Sequence, residues 1–241
     1  TATVTPTPTA TPTQMPAMAT PTPTAVPPTP PTITPVPQGD DRYAVILHSK
    51  GRETPRYFLD VLGTEWFVDG TPSVDDIPSG HKKLLYFNQA TVPSAAEIQS
   101  IVSVSPGAVW HILGEPNRFD QQDPRYSHSG VVEPLHDFYQ AVKAADPTAK
   151  VTSPSILNWD YTCFGCSGYQ QGEVWLKAFI SAYETRYGQK PPIDIWAIDV
   201  YPIDWLNTPN SGSHAATAIS QLQGMRQYLD TFTEYTDTPI W

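Results

Sequence analysis

The chain has 241 residues and a formal net charge of −10, and its composition changes sharply at residue 38. Residues 1–38 hold 12 of the 27 prolines and 13 threonines but no charged or aromatic side chain, so they cannot build a hydrophobic core. All acidic and basic side chains lie in residues 39–241. This net negative charge argues against nucleic acid and anionic membrane surfaces as partners.

The alternating Thr-Pro pattern of residues 1–38 favours extended polyproline II, which predicts a disordered linker. Thr- and Pro-rich segments are also typical of mucin-like stalks, which indicates an extracellular or cell-surface protein. No apolar run approaches the roughly 18 residues that span a bilayer, so membrane insertion is not expected. We therefore expect a linker at 1–38 and one globular, monomeric domain at 39–241.

Short apolar runs alternate with helical patterns from residue 42 onward. Three long helices are predicted at 131–145, 171–187 and 214–232, where apolar side chains recur every three to four residues. Shorter helices are predicted at 53–62 and 94–102, the second with Ser94 as N-cap and Glu97 three residues later. The strand candidates are residues 43–47, 65–68, 83–87, 108–113, 150–154, 193–200 and 239–241.

Strands that are apolar on both faces and separated by helices predict an α/β fold with a parallel sheet. Two architectures fit this pattern, an eight-unit barrel and an open doubly wound sheet. The glycine-rich turns of dinucleotide-binding and phosphate-binding loops are absent from the sequence. Seven strand starts, the seventh cut off at Trp241, favour a (β/α)8 TIM barrel that is incomplete at its C-terminus.

Cys163 and Cys166 form a Cys-Phe-Gly-Cys sequence within a predicted loop. The spacing is compatible with a disulfide, half of a zinc site, or a redox pair. A zinc site needs two further ligands, and the sequence has no second Cys pair or His-x3-5-His pattern. A disulfide that staples the loop is the preferred interpretation, and no metal site is expected.

Functional groups of parallel α/β folds lie at the C-terminal ends of the strands. Carboxylates, amides and aromatic side chains recur there, whereas basic residues are few, which suits a neutral sugar: carboxylates and amides bind hydroxyls, and aromatic rings pack on a pyranose face. The candidates at or near these ends are His48, Asp69, Asn88, Glu115, Asn117, Asn158, Trp159, Asp160, Asp199, Tyr201, Asp204 and Trp205.

The sharpest motif is Trp110-His-Ile-Leu-Gly-Glu-Pro-Asn117, a predicted fourth strand that ends in a carboxylate followed by proline. Here the chain resembles the glycoside hydrolases of clan A, retaining enzymes on a (β/α)8 barrel whose fourth strand ends in Asn-Glu-Pro. Within the clan it is most similar to bacterial extracellular proteins described as glycosyl hydrolase catalytic cores. The resemblance covers about residues 42–241 and implies that Glu115 is the general acid/base.

Retaining hydrolysis needs two carboxyl groups about 5–5.5 Å apart, one that protonates the leaving oxygen and one that attacks the anomeric carbon. The resemblance places the second, a Glu, at the end of strand seven, just beyond Trp241. The 241 residues are then expected to be an inactive fragment of an O-glycoside hydrolase. No cofactor is implied, because the two carboxyl groups carry out the bond chemistry.

The sequence departs from the clan pattern at two positions. Gly114 stands where the clan has Asn before the acid/base, so either Asn117 or another amide contacts the sugar, or the site has weakened toward binding without turnover. The sixth-strand His-x-Tyr of some relatives is here Asp199-Val-Tyr201, so Tyr201 carries over better than Asp199. Besides Glu115, the expected substrate-binding residues are Asn117, Trp159, Tyr201, Asp199, Asn88 and Trp205.

Two other functions are kept as alternatives. A non-catalytic carbohydrate-binding or cell-surface module would keep the cleft without turnover, and the Gly114 departure favours it. A redox protein that uses Cys163 and Cys166 would need an active thiol pair. The preferred prediction is a retaining glycoside hydrolase that acts on a polysaccharide or glycoside.

Overall fold

A computed structural model describes residues 44–47, 55–75, 77–87, 91–118, 124–160, 168–201 and 214–241. All of them belong to a compact unit that spans Thr34–Trp241. The predicted linker at 1–38, the cysteine pair Cys163 and Cys166, and the candidate site residues Asn88 and Trp205 lie outside these ranges.

Five strands form one parallel sheet in which spatial order follows chain order. Each strand pairs in parallel with its neighbours along the chain, for example Tyr86 with His111 in the central pair. The strands are β1 (Ala44–Ile46), β2 (Trp66–Val68), β3 (Lys82–Phe87), β4 (Val109–Ile112) and β5 (Lys150–Val151).

The parallel succession continues beyond β5 in shorter pieces. Two further strands, β6 (Ile156–Leu157) and β7 (Ile198–Asp199), pair in parallel. Single parallel bridges join Thr152 to Ile195 and Trp196 to Ile240. The order does not reverse along these pairs, whereas a doubly wound sheet reverses at its switch point. The described chain is thus an α/β fold with a barrel-like strand succession.

The predicted fifth strand, 150–154, is shorter than expected because regular strand pairing is interrupted in its second half. Pro154 has no N–H to donate to a neighbouring strand. The Ser153 hydroxyl oxygen accepts the backbone N–H of Ala197 at 2.8 Å, which replaces a regular ladder hydrogen bond. Pairing resumes at Ile156, in β6.

All five predicted helices are present, with boundaries that differ by a few residues. They are α1 (Pro55–Leu62), α2 (Ala95–Val104), α3 (Val132–Ala145), α4 (Gly172–Tyr187) and α5 (His214–Leu229). The predicted N-cap of α2 is confirmed: Ser94 and Glu97 form a reciprocal capping box. None of the helices in the described ranges is long and apolar enough to cross a membrane.

The core lies between the strands and the helices that cover one face of them. Trp110 of β4 is fully buried, stacks on Phe87 at 5.5 Å between ring centroids, and meets Phe138 of α3 at 6.1 Å. Successive side chains of a strand point to opposite faces. Because Trp110 faces the helices, His111 faces the other, inner side of the sheet.

Candidate functional site

A cavity of about 460 Å³ lies on the inner side of the sheet, toward the C-terminal ends of the strands. Its wall includes the last residues of β1, β2 and β7 and the turn that follows β4. The polar and charged part of the wall comes from Tyr86, His111, Glu115, Arg118, Thr152, Ser155, Asp199 and Tyr201. The predicted location of the site, at the strand ends, matches this cavity.

Glu115 lies in the cavity wall on a strained turn. Its φ is +50° and that of Leu113 is +65°, a backbone region that non-glycine residues seldom adopt. The backbone N–H of Glu115 donates to the carbonyl oxygen of Ser155 at 2.7 Å, and the Arg118 guanidinium pairs with its Oε2 at 2.9 Å. The turn therefore fixes a carboxylate that is 19 % exposed at the edge of the cavity.

Asp199 supplies a second carboxyl group to the same cavity. The hydroxyl of Ser155 donates to its Oδ2 at 2.7 Å. Burial raises the pKa of Asp199 to about 6; the Ser155 hydrogen bond opposes this shift, and the negative charge of Glu115 adds to it. Ser155 thus contacts both acids, through its carbonyl and its hydroxyl, and Asp199 is half protonated near pH 6.

Two tyrosines face these carboxyl groups. Burial raises the pKa of Tyr86 to about 12, and the charges of Asp199 and Glu115 contribute. Tyr201 is 42 % exposed, and burial and the same two charges raise its pKa as well. Both phenols therefore stay protonated and can donate hydrogen bonds. Asn158, a candidate from the strand ends, accepts the backbone N–H of Tyr201 at 2.7 Å and so positions it.

His111 lies in the buried part of the cavity wall and is 3 % exposed. Its Nδ1 lies 2.7 Å from Thr152 Oγ1, whereas Nε2 is buried without a hydrogen-bond partner in the described part of the chain. Burial lowers the pKa of His111 to about 4. The imidazole is therefore neutral, and its ring stacks on that of Tyr86 at 4.8 Å between centroids.

Gly114 leaves room for the Tyr86 side chain. A Cβ atom added at Gly114 would lie 2.0 Å from Tyr86 Oη, 3.2 Å from Tyr86 Cζ and 3.5 Å from Ser155 Oγ. An asparagine at this position would collide with the tyrosine hydroxyl. The position of the Tyr86 hydroxyl thus explains on steric grounds why this chain has glycine where the Asn-Glu-Pro pattern has asparagine.

Asn117 lies away from the cavity wall and is 3 % exposed. Its Nδ2 donates to the carbonyl oxygens of Leu157 at 2.9 Å and Gln170 at 2.6 Å, and its Oδ1 accepts the Leu157 N–H at 2.8 Å. The amide that was expected to contact sugar is therefore engaged by backbone groups. Its position indicates that it ties the turn after β4 to β6.

Trp159 also lies outside the cavity wall and is 4 % exposed. Its indole packs so closely on α5 that a Cβ at Gly224 would lie 2.5 Å from its Cδ1, and its ring centroid is 5.8 Å from that of Tyr228. A sugar cannot stack on a face that is covered in this way. Trp241, which is 44 % exposed, is an aromatic side chain of the cavity wall.

The structure thus brings together Glu115, Asp199 and Tyr201 from the predicted set. Sequence reasoning missed Tyr86, His111, Arg118, Ser155 and Trp241. For Tyr86 and His111 the sequence did contain a signal. Each is a polar ring within an apolar strand, and such a ring either faces a polar cavity or needs a buried hydrogen-bond partner. Within the described ranges, no three His, Cys, Asp or Glu side chains are close enough to hold a metal ion.

Neither the protein-family models nor the curated proteins include a match to this chain. Solved structures do match its fold. An endo-beta-1,3-glucanase of glycoside hydrolase family 128 (GH128), subgroup II, from Pseudomonas viridiflava has a TM-score of 0.51 and 19 % identity. This match covers 69 % of the chain and 59 % of the glucanase.

Two structures of a subgroup I GH128 endo-beta-1,3-glucanase from Amycolatopsis mediterranei also match. The complex with laminaritriose has a TM-score of 0.51 and 18 % identity, and covers 82 % of this chain and 67 % of the glucanase. A mutant in complex with laminaripentaose has a TM-score of 0.53 and 17 % identity, and covers 82 % and 69 %. This chain therefore spans 59–69 % of the length of these structures and shares the fold of these glycoside hydrolases.

Proposed function

We propose that this chain forms the sugar-binding cleft of a retaining glycoside hydrolase of clan A type, built on an incomplete (β/α)8 barrel. The observation that carries the proposal is the cavity at the strand ends, where Glu115 and Asp199 face two protonated tyrosines. The fold shared with the GH128 glucanases supports it. The Thr/Pro-rich segment supports export to the cell surface or medium.

Glu115 is the proposed general acid/base. In the first half of the reaction it protonates the leaving oxygen, and in the second half it takes a proton from water. The Asp199 carboxyl lies in the same cavity wall, and the Arg118 guanidinium pairs with Glu115 Oε2 at 2.9 Å. Arg118 therefore holds the Glu115 carboxyl group in a fixed orientation at the cavity.

Asp199 is proposed as a substrate-binding residue rather than the nucleophile. It accepts a hydrogen bond from Ser155, and with a pKa of about 6 it is half protonated near pH 6; the hydrogen bond and the protonated fraction both reduce its nucleophilicity. The proposed nucleophile is the Glu that the resemblance to clan A places at the end of strand seven. Binding is therefore the primary measurement for the 241-residue chain.

The proposed ligand is a neutral glucan, with β-1,3-linked glucan as the first to test. The two Amycolatopsis glucanase structures hold laminaritriose and laminaripentaose. Tyr201 and Trp241 are each more than 40 % exposed at the cavity and can offer ring faces to a pyranose.

A second candidate function is a carbohydrate-binding module without turnover. The specific observation in its favour is the ion pair between Glu115 Oε2 and Arg118, at 2.9 Å. In this pair, Arg118 occupies one carboxylate oxygen of the proposed acid/base. Binding without hydrolysis is the outcome that this candidate predicts.

The test compares the wild-type chain with Glu115→Gln and with Glu133→Gln, a control on the exposed surface of α3. Calorimetric titration with laminaripentaose is expected to show binding by all three, with dissociation constants within a few-fold of one another. Hydrolysis of laminarin is measured on the same chain and on a version extended at its C-terminus. In the extended version, Glu115→Gln is expected to lower the rate by about 10²–10⁴-fold.

The outcomes separate the candidates. Failure of the wild-type chain to bind any laminari-oligosaccharide would overturn the proposed ligand. Binding with no hydrolysis by the extended chain would favour the binding module. Equal hydrolysis by Glu115→Gln and wild type would overturn the assignment of the acid/base.

A further inference from the structure

The Tyr86 hydroxyl lies beside the turn that carries Glu115. It would be 2.0 Å from a Cβ at Gly114, the residue immediately before Glu115. It therefore occupies the space that a side chain at position 114 would take. Tyr86, Gly114 and Glu115 all line the cavity.

The Tyr86 side chain is held firmly except at its hydroxyl. Its ring stacks on His111, with centroids 4.8 Å apart and an interplanar angle of 20°. Its backbone is fixed in β3, in register with His111 of β4. No hydrogen bond joins its hydroxyl to another residue within the described ranges. A rigid hydroxyl at a cavity wall that has no hydrogen-bond partner among the described residues is suited to a ligand.

The hydroxyl is also a dependable donor. Burial raises the pKa of Tyr86 to about 12, so the phenol keeps its proton throughout the physiological range. Glu115 and Asp199 supply mainly acceptor oxygens to the same cavity when ionised. A sugar hydroxyl both donates and accepts, so it can donate to a carboxylate while it accepts from the phenol.

We infer that Tyr86 binds a ligand hydroxyl next to Glu115, in place of a side chain at position 114, and that Gly114 is required to admit it. This inference rests on the proposed carbohydrate function and deepens it. Asn117 does not compete for the role, because its amide is bound by the backbone of Leu157 and Gln170. Tyr86 is thus a specificity-determining residue that sequence spacing did not indicate.

The test is a double-substitution cycle on the full chain, read by laminaripentaose titration and by thermal unfolding. Tyr86→Phe should raise the Kd about 10-fold, the loss expected for one hydrogen bond, and leave the Tm within about 2 °C. Gly114→Ala should lower the Tm by about 5 °C, because its methyl group collides with the phenol. Tyr57→Phe, on the exposed side of α1, is the matched control and should change neither value.

The double variants test whether the Tyr86 hydroxyl and a side chain at position 114 would occupy the same space. Tyr86→Phe with Gly114→Ala should recover most of the Tm lost by Gly114→Ala alone, since the colliding hydroxyl is gone. Tyr86→Phe with Gly114→Asn should restore the Kd to within about 3-fold of wild type, because the new amide replaces the lost hydrogen bond. A purely structural role of Tyr86 predicts no such recovery of binding.

Failure of the inference differs from failure of the proposed function. A wild-type chain that binds laminaripentaose, together with a Tyr86→Phe variant of equal affinity, would overturn the inference and leave the function standing. A wild-type chain that binds no laminari-oligosaccharide would overturn both. If the Tm losses of Tyr86→Phe and Gly114→Ala simply added in the double variant, the hydroxyl and the methyl group would not compete for the same space.

Discussion

The buried carboxyl group of Asp199 makes the stability of the folded chain depend on pH. Its pKa in the folded chain is about 6, above its ordinary value of 3.8, mainly because the carboxyl is buried. The folded state therefore holds this proton more tightly than the unfolded state. The resulting stability is fully present below pH 3.8 and is lost as the pH rises through about 6.

We predict that Asp199→Asn stabilises the chain at pH 8 by about 1–3 kcal/mol, since the amide cannot ionise in the buried site. At pH 4 the same substitution should have almost no effect, because Asp199 is then largely protonated. Urea unfolding at both pH values measures the difference. Asp237→Asn, an exposed carboxyl outside the cavity wall, is the control and should be neutral at both.

The strain at Glu115 and Leu113 also belongs to the residue scale. Left-handed backbone at non-glycine residues costs of order 1–3 kcal/mol each and persists where surrounding contacts impose it. Here the Ser155 carbonyl holds the Glu115 N–H, and the Arg118 N–H donates to the Glu115 carbonyl. Such concentrations of strain are typical of functional sites, which agrees with the proposed role of Glu115.

The helices show how local sequence signals set the boundaries of an element. Ser94 accepts the N–H of Glu97, and the Glu97 carboxylate accepts the N–H of Ser94. These bonds satisfy donors at the N-terminus of α2 that have no partner within the helix. The side-chain hydrogen bond with Ser94 is the main reason that the pKa of Glu97 is lowered.

We predict that Ser94→Ala lowers the Tm by about 2–4 °C, because the first turn of α2 loses its cap. Ser100→Ala, at an exposed position within the same helix, should change the Tm by less than about 1 °C. Thermal unfolding followed by circular dichroism measures both. Equal effects of the two substitutions would show that the cap contributes nothing.

The strands depend on long-range pairing and were predicted less accurately than the helices. Six of the seven predicted strand regions contain a strand, in the expected order, whereas region 239–241 contains only the bridge at Ile240. The sequence did not indicate β6, or that Ser153 and Pro154 separate it from β5. That division depends on the Ala197 N–H reaching the Ser153 hydroxyl from a segment more than 40 residues away. The apolar pattern of a strand depends on the residues of that strand, and it contains little information about the segment with which the strand pairs.

At the scale of the whole molecule, one hydrophobic cluster dominates the described residues. The buried cluster and the side chains packed against it lie between Val74 and Ile240. We therefore propose that residues 39–241 form the folding unit and that residues 1–38 serve as a linker, as the composition predicts.

We predict that a chain of residues 39–241 unfolds with a Tm within about 1 °C of the full chain, because the described hydrophobic cluster lies entirely within these residues. Limited digestion with a broad-specificity protease should remove the first segment and leave a resistant product, identified by mass spectrometry. Trypsin cannot cut within residues 1–38, which contain no Lys or Arg, and its first possible site is Arg42. A large loss of Tm on truncation would contradict the proposed boundary.

The sequence by itself determined the helices, the strand order, the α/β class and the position of Glu115. These features follow from local periodicity, caps and turn residues, which act over a few positions. It also led to Asp199 and Tyr201, because parallel strands bring their C-terminal ends together.

Only the tertiary structure decided which polar side chains face the cavity. Asn117 and Trp159 follow strands as Glu115 does, yet Asn117 binds backbone groups and Trp159 packs on α5. Tyr86 enters the cavity because Gly114, on the neighbouring strand end, leaves space for it. Whether a side chain reaches a site depends on the volume and hydrogen bonds of residues distant in sequence, and no local pattern records these.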